Sequence, residues 1–505
     1  MFLKAVMLFA PVLAALMPCS AAPHIGTGGF KPDAMHLYVD MAMDDSTAFT
    51  PYCFRSLNEA LLHLTNGTER NPMNIYIAPG VYWLDNPDDP MMRYAENGRI
   101  PSAFDITCDW LGFIGITGNC NDVVIACNRG ADQGSFGGFL MMDINGEGVH
   151  AEGVTFGNFC NTDLDYDPNP ALGRERRSNL AVPSGIAVCN GDRNFFRNCR
   201  FVGRTGMMPF QGGSRTLYDS CLFECGDEAL NPNCVYTNCL FDLYGTVPLS
   251  EATGTGVAFL GCEFRSHVSG TQYLTHNGGQ TAVVDCTFHG TATDVRWCSG
   301  SSAAQKLYQS GTVIFGERCD IMSDSIQSVV MDDLPLLDAY KISIADRGFY
   351  NVYNLLKGSD GWDPLNMAGT VAEAEEYSSR QLTGIPTVMS LTATSIDVHA
   401  EYDPTYIEVD ARLMSGEHVR PDLVGWEVSD GIIPQDKIAI TEYGCCLFCE
   451  LTPENTDNVF VTAVTESGLE AATQLSPVMP DLITGMFTSV SSTRKKDRNR
   501  AHRAD

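Results

Sequence analysis

Three aspartates at alternate positions, Asp163, Asp165 and Asp167, offer carboxylate oxygens at the spacing a calcium ion accepts. No glycine follows them and no glutamate stands at the twelfth position of an EF-type loop, so this run is not expected to hold a metal. Cys445, Cys446 and Cys449 lack the matching histidines or second cysteine pair of a zinc site. No metal and no cofactor is therefore expected. Cleavage of a uronate chain by elimination needs a strong base, usually lysine or arginine. No lysine occurs between Lys31 and Lys306, which leaves only an arginine-based version, on Arg204, Arg215, Arg265 or Arg296. The two or three converging aspartates of a glycoside hydrolase have no signature here.

The elements that must position such groups are set by an internal repeat. Asn198-Cys199-Arg200-Phe201, Ser220-Cys221-Leu222-Phe223, Asn238-Cys239-Leu240-Phe241, Gly261-Cys262-Glu263-Phe264 and Asp285-Cys286-Thr287-Phe288 recur with cysteine steps of 22, 18, 23 and 24 residues. That period is too short for most helical repeats and fits one coil of a β-solenoid. Cys and Phe, two apart, share a face, while Arg200, Leu222, Leu240, Glu263 and Thr287 point the other way. The fold class expected is all-β: a right-handed, single-stranded parallel β-helix with cysteine and phenylalanine ladders inside. Five cysteines at one repeat position read as a stack of small buried side chains, mostly reduced, rather than as a disulfide framework. Ser56-Leu57-Asn58-Glu59 has the form of a capping box, with Leu57, Leu61 and Leu64 at helical spacing, and predicts an N-terminal helix capping the open end of the solenoid.

Residues 1–21, with one cation at Lys4, an apolar run and Cys19-Ser20-Ala21, read as a secretory signal, placing the chain outside the cell, at its surface or in a periplasm. The solenoid is expected over 22–350, an irregular linker over 351–384, a small antiparallel β-sandwich over 385–480 with Trp426 buried, and a basic polar tail over 481–505. Its Trp426-Glu427-Val428-Ser429-Asp430-Gly431 stretch resembles the bacterial immunoglobulin-like modules. The 62 acidic against 32 basic side chains, a formal charge of −30, exclude nucleic acid and anionic membrane as partners. No apolar run after the signal approaches the ~20 residues needed to span a bilayer.

Gly191-Asp192-Arg193, Phe196, Cys199-Arg200-Phe201 and Gly203, followed by Arg215, Tyr218 and Cys221, reproduce the G-D-R-x-x-F-x-x-C-R-F-x-G and R-x-x-Y-x-x-C stretches of the pectin methylesterases. The chain resembles that family more weakly from Phe54 to about Gly290, including an I-x-I-x-P-G-x-Y start at Ile75 to Tyr82. The resemblance implies a polysaccharide partner of the pectin type. It also implies an ester cleavage in which a carboxylate attacks, a second acid moves the proton, glutamines hold the oxyanion and an arginine orients the nucleophile.

Most of those groups are replaced. Where the family has Q-D-T-L, this chain has Thr205-Gly206-Met207-Met208, and His276 falls where the arginine of L-G-R-P-W belongs. The nucleophile motif aligns, within one residue, with Asp227-Glu228-Ala229-Leu230, so a carboxylate is kept there. The catalytic candidates are Asp227, Glu228 and His276, the last because histidine titrates near neutrality. Gln211 is the candidate for a displaced oxyanion donor, and Arg215 and Arg265 are candidates for binding substrate. The expected function is a divergent pectinesterase-type carbohydrate esterase. Two alternatives stay open: a β-helix that binds glycan or builds a surface structure without catalysis, and an arginine-based polysaccharide lyase.

Overall fold

The computed structural model describes most of residues 31–474. Residues 1–30, 49, 88, 90–101, 131–139, 161–184, 190, 204–214, 232, 250–255, 277–279, 300–305, 323–327, 386–387 and 475–505 lie outside the described residues, and between 388 and 474 only the strands named below are described, as backbone. The signal segment, the basic tail, Asp163, Asp165 and Asp167 thus fall outside them.

The repeat folds as its spacing predicts. A first face of twelve strands runs from Cys53–Phe54 and His36–Val39 through Asn194–Arg197, Thr216–Asp219, Cys234–Thr237, Val257–Leu260 and Gln280–Val284 to Val329–Val330, all pairs parallel. A second face of ten strands includes Arg200–Val202, Leu222–Cys225, Leu240–Leu243, Glu263–Ser266 and Thr287–Gly290, each paired in parallel with the strand one coil later. Shorter parallel sheets, Ser102–Ile106 with Leu140–Ile144 and Gly185–Cys189, and Thr271–Thr275 with Asp294–Cys298, make a third face. The chain visits the three faces in turn and advances one rung per circuit, which is a parallel β-helix.

The corner between the first and second faces explains the residue before each ladder cysteine. Asn198, Ser220, Asn238, Gly261 and Asp285 all have φ between 49° and 63°, the left-handed region that asparagine, aspartate and glycine enter at least cost. The reversal turns the next side chain inward. Leu222 N bonds Cys199 O, Leu240 N bonds Cys221 O, Glu263 N bonds Cys239 O and Thr287 N bonds Cys262 O, each at 2.9 Å, so the cysteines form one interior line. All five are buried free thiols.

Two aromatic columns fill the interior beside them. Phe201, Phe223, Phe241, Phe264 and Phe288 stack with centroids 4.5–5.0 Å apart and planes within 13°. Phe196, Tyr218, Tyr236 and Phe259 form a second column at 5.0–5.1 Å, meeting the first edge to face. Stacking along a column and edge contact between columns both suit the ring quadrupole, so the parallel register and the aromatic geometry reinforce each other.

The helix at Leu57–Leu61 buries Leu57, Ala60 and Leu61 against the first rungs, as a cap. Its capping box does not form: Ser56 makes no side-chain cap hydrogen bond, and packing holds the helix instead. The segment read as an irregular linker is also different. It contains helices at Val352–Leu356 and Ala368–Ser378. Val352, Leu355, Leu356 and Trp362 pack on Leu217, Val235, Ala258, Leu260, Ala282 and Val284, the outward side chains of the first face. Those strands are apolar on both sides because this strap covers them.

Residues 388–474 carry antiparallel strands in two sheets. Val388–Ile396, Thr405–Leu413, His418–Val419, Ile438–Thr441 and Gly444–Leu447 form one; Leu423–Val428, Phe460–Thr465 and Glu470–Gln474 form the other. Trp426 pairs with Ala463 in the second sheet. Burial of Trp426 lies outside what is described.

Candidate functional site

The third face carries the candidate chemistry. Asp227 and Glu228 follow the strand Leu222–Cys225 at the corner into this face, and both are exposed. Asp227 Oδ1 accepts hydrogen bonds from Val247 N at 2.8 Å and Thr246 Oγ1 at 3.3 Å, so this carboxylate ties one rung to the next. Glu228 is held by its backbone, with N donating to Val247 O at 2.7 Å and φ of 54°, and among the described residues its carboxylate has no hydrogen-bond partner. His276 ends the strand Thr271–Thr275 and is exposed; its N donates to Leu249 O at 2.8 Å.

The ladder fixes how these residues stand to one another. Glu228 N on Val247 O sets Glu228 level with Pro248, and the Leu249–Thr275 bridge sets Pro248 level with Leu274. Glu228 and His276 are therefore two rungs and two residues apart on one face, about 12 Å between Cα atoms at ordinary strand spacings. The rung between them is Thr246–Leu249; Tyr273 and Thr275 share the strand that His276 follows, and on the next rung stand Asp294 and Arg296, joined at 2.7 Å. The bonds from Arg296 and Thr271 hold the Asp294 carboxyl below the usual aspartate range.

His276 has a partner that the sequence reading missed. Its Nδ1 lies 2.6 Å from Ser299 Oγ, which follows the strand Asp294–Cys298 in the same place one coil later. The two are 23 residues apart, the coil period shown by the cysteines, and that period was the signal available.

The expected binding residues are placed elsewhere. Arg215 is 6% exposed and fully engaged: Nε donates to Asp192 Oδ1 at 3.0 Å, Nη2 to Asp360 Oδ2 at 2.8 Å and Nη1 to Leu356 O at 3.2 Å. It clamps the strap, with its guanidinium turned to Asp192 and Asp360. Arg265 is exposed but on the second face, bonded to Glu263 at 2.7 Å, and Glu263 also takes His289 Nε2 at 2.8 Å. Burial raises the Glu263 carboxyl, but these two bonds outweigh it and hold the group below the usual glutamate range. Beside this row, Tyr244 and His267 stack at 4.4 Å with planes 11° apart, and His267 Nε2 meets Asp242 at 3.3 Å. Gln211, Arg204 and Thr205-Gly206-Met207-Met208 lie outside the described residues. Among the described residues no group of three or more His, Cys, Asp or Glu is placed to hold a metal ion, and no helix is long and apolar enough to cross a membrane.

Among solved structures, the chain is similar to pectin methylesterase PemA from Erwinia chrysanthemi, at 16% identity and a TM-score of 0.40 over 60% of this chain and 94% of that one. It is similar to pectin methylesterase from carrot at 10% identity and a TM-score of 0.40, over 62% and 92%. A pectin methylesterase from Aspergillus niger follows at 15% identity and a TM-score of 0.32, over 59% and 84%. No family model matches the sequence, and no curated protein matches it.

Proposed function

We propose that this protein is an exported carbohydrate esterase that removes ester groups from pectin-like polysaccharide, working on the third face of its β-helix. One observation carries the reading. Glu228, one of the acidic pair that the sequence resemblance aligns, within one residue, with the nucleophile, and His276, at the position of the family's arginine, are both exposed on one face. In the reaction a Glu228 carboxylate oxygen bonds the ester carbonyl carbon. Protonated His276 gives its proton to the departing alcohol; a water then splits the acyl–carboxylate bond and frees Glu228, one proton returning to His276 and the other leaving to solvent with the ionised product acid. For a methyl ester the products are the free polysaccharide carboxylate and methanol; for an acetyl ester they are acetate and the sugar hydroxyl. Asp227, already taken by Val247 and Thr246, supports the rung that carries Glu228. Gln211 is kept as the proposed donor to the oxyanion.

The test is methanol or acetate release from methylated and acetylated pectins, by wild type, Glu228→Gln and His276→Ala. Release that Glu228→Gln abolishes and His276→Ala slows ~100-fold supports the reading. A second reading, a β-helix that binds glycan without catalysis, draws on the structural use of Asp227 and Arg215. It predicts no release by any form, with pectin binding unchanged by the two substitutions. The arginine-based lyase is left with Arg296 on the third face among the described arginines, and Arg296 is bonded to Asp294.

A further inference from the structure

Four described histidines have a side-chain partner bonded to a ring nitrogen. His36 meets Asp33 at 2.8 Å, His267 meets Asp242 at 3.3 Å and His289 meets Glu263 at 2.8 Å. Those three partners are carboxylates. The fourth, His276, meets a hydroxyl, Ser299 Oγ, at 2.6 Å. In a chain with 62 acidic side chains the acid partner is the common outcome, and the chemistry of the two cases differs.

A carboxylate only accepts, so it fixes one tautomer, with the proton on the nitrogen it faces, and it favours the charged ring. A hydroxyl both donates and accepts. Its oxygen can take the Nδ1–H bond both in the neutral ring, whose Nε2 lone pair is then free as a base, and in the imidazolium, whose Nε2–H is then the acid, without favouring the charged form as a carboxylate does. A histidine that must first protonate an alcohol and then deprotonate water needs Nε2 presented in both charge states within one cycle. Ser299 is placed for this by register rather than by chance contact of surface side chains. Thr275 and Cys298 are paired, Ser299 N donates to Thr275 O at 3.2 Å, and His276 N donates to Leu249 O, so both Cα positions are pinned to adjacent rungs.

We propose that Ser299 is the positioning residue of His276: it occupies Nδ1, turns Nε2 toward the substrate, and lets the ring act as acid and as base in turn. This rests on the esterase reading for the reaction, though not for the contact itself. The charged groups on the strand beside the pair are Asp294 and Arg296, which are bonded to each other, and the rung before, Thr246–Leu249, carries none. The neighbouring Tyr273 and Cys298 complete the titratable side chains on the two strands.

The experiment uses full-length protein carrying 15N-labelled histidine, with the His276 signals assigned through His276→Ala. Wild type, Ser299→Ala, Ser299→Thr and Ser299→Asp are compared by imidazole nitrogen shifts across pH and by the pH dependence of kcat and KM for methanol release. Ser299→Asp should raise the His276 titration midpoint by about one unit or more, as an opposite charge at contact does, and carry the pH–rate limb with it. Ser299→Ala should release the tautomer and lower kcat about tenfold with KM little changed, and Ser299→Thr should restore both. An unmoved His276 titration in Ser299→Asp and Ser299→Ala overturns the proposal, and so does a moved titration with an unmoved rate profile. Absence of release by wild type counts against the esterase reading instead, and the nitrogen shifts still decide whether Ser299 holds the ring.

Discussion

Arg215 and Asp360 stand 145 residues apart in sequence and 2.8 Å apart in space, Nη2 to Oδ2, with Asp192 on the other edge of the same guanidinium. This fork joins the turn between the two helices of the C-terminal strap to a rung in the middle of the solenoid. The bond from Arg215 holds the Asp360 carboxyl below the usual aspartate range.

Removing the fork should loosen the strap before it harms the coils. Arg215→Met leaves Asp192 and Asp360 with Arg193 alone, which meets Asp360 at 3.3 Å, and is expected to cost about 2 kcal/mol, since both carboxylates are partly solvated. Limited proteolysis should then cut first between Lys357 and Ile385; first cuts within the second-face strands would contradict this. The sign with pH follows from the depressed Asp360 value. Its contribution is present above the unfolded aspartate pKa of 3.8 and is lost as pH falls through the lower folded value, so acid unfolding of wild type and Arg215→Met should converge below that range.

The aromatic column predicts a contrast between two neighbouring positions. Phe241→Ala, in the centre of the stack, should cost ~3–5 kcal/mol, whereas Thr287→Ala, on the outer side of the same face, should stay within ~0.5 kcal/mol. Urea unfolding of both variants measures the difference, and a surface-like effect at Phe241 would falsify the interior assignment.

At the corner, the left-handed backbone of Asn238 makes glycine the compatible replacement and a β-branched residue the incompatible one. Asn238→Val should destabilise by about 1–2 kcal/mol and Asn238→Gly by much less, in the same urea assay. Equal effects would mean that side-chain bonds, not backbone conformation, select asparagine there.

Burial pushes the thiols of Cys199, Cys239 and Cys286 well above the usual cysteine range. These groups should not react with Ellman's reagent in the native protein at pH 8, and should react at the rate of unfolding when denaturant is added. Fast reaction of any of them in the folded state would place it outside the interior line.

The solenoid was legible because its signal is a spacing. Cysteine and phenylalanine two apart, repeated once per coil, state both the face and the rung, and the structure keeps them in register. The strap was not legible, since Val352, Leu355, Leu356 and Trp362 show no sustained period. The clue lay in the surface they cover: Val257–Leu260 and Gln280–Val284 alternate too little for strands with one wet side. Glu228 and His276 were singled out as candidates by resemblance, and the Ser299 contact to His276 by neither route, although its distance from His276 is one coil. Arg215 was read as a binder of substrate because a solenoid arginine looks free until a partner 145 residues later folds back onto it.

A stack of coils in which each rung touches only its neighbours can fray from an end, one rung at a time. The strap works as a splint against this. By lying across Leu217, Val235, Ala258 and Ala282 at once, it makes the loss of any one rung in that span cost contacts belonging to the others. Unfolding of this region is thereby turned from serial unzipping into a single event that begins with the strap lifting, and Arg215 is its fastening.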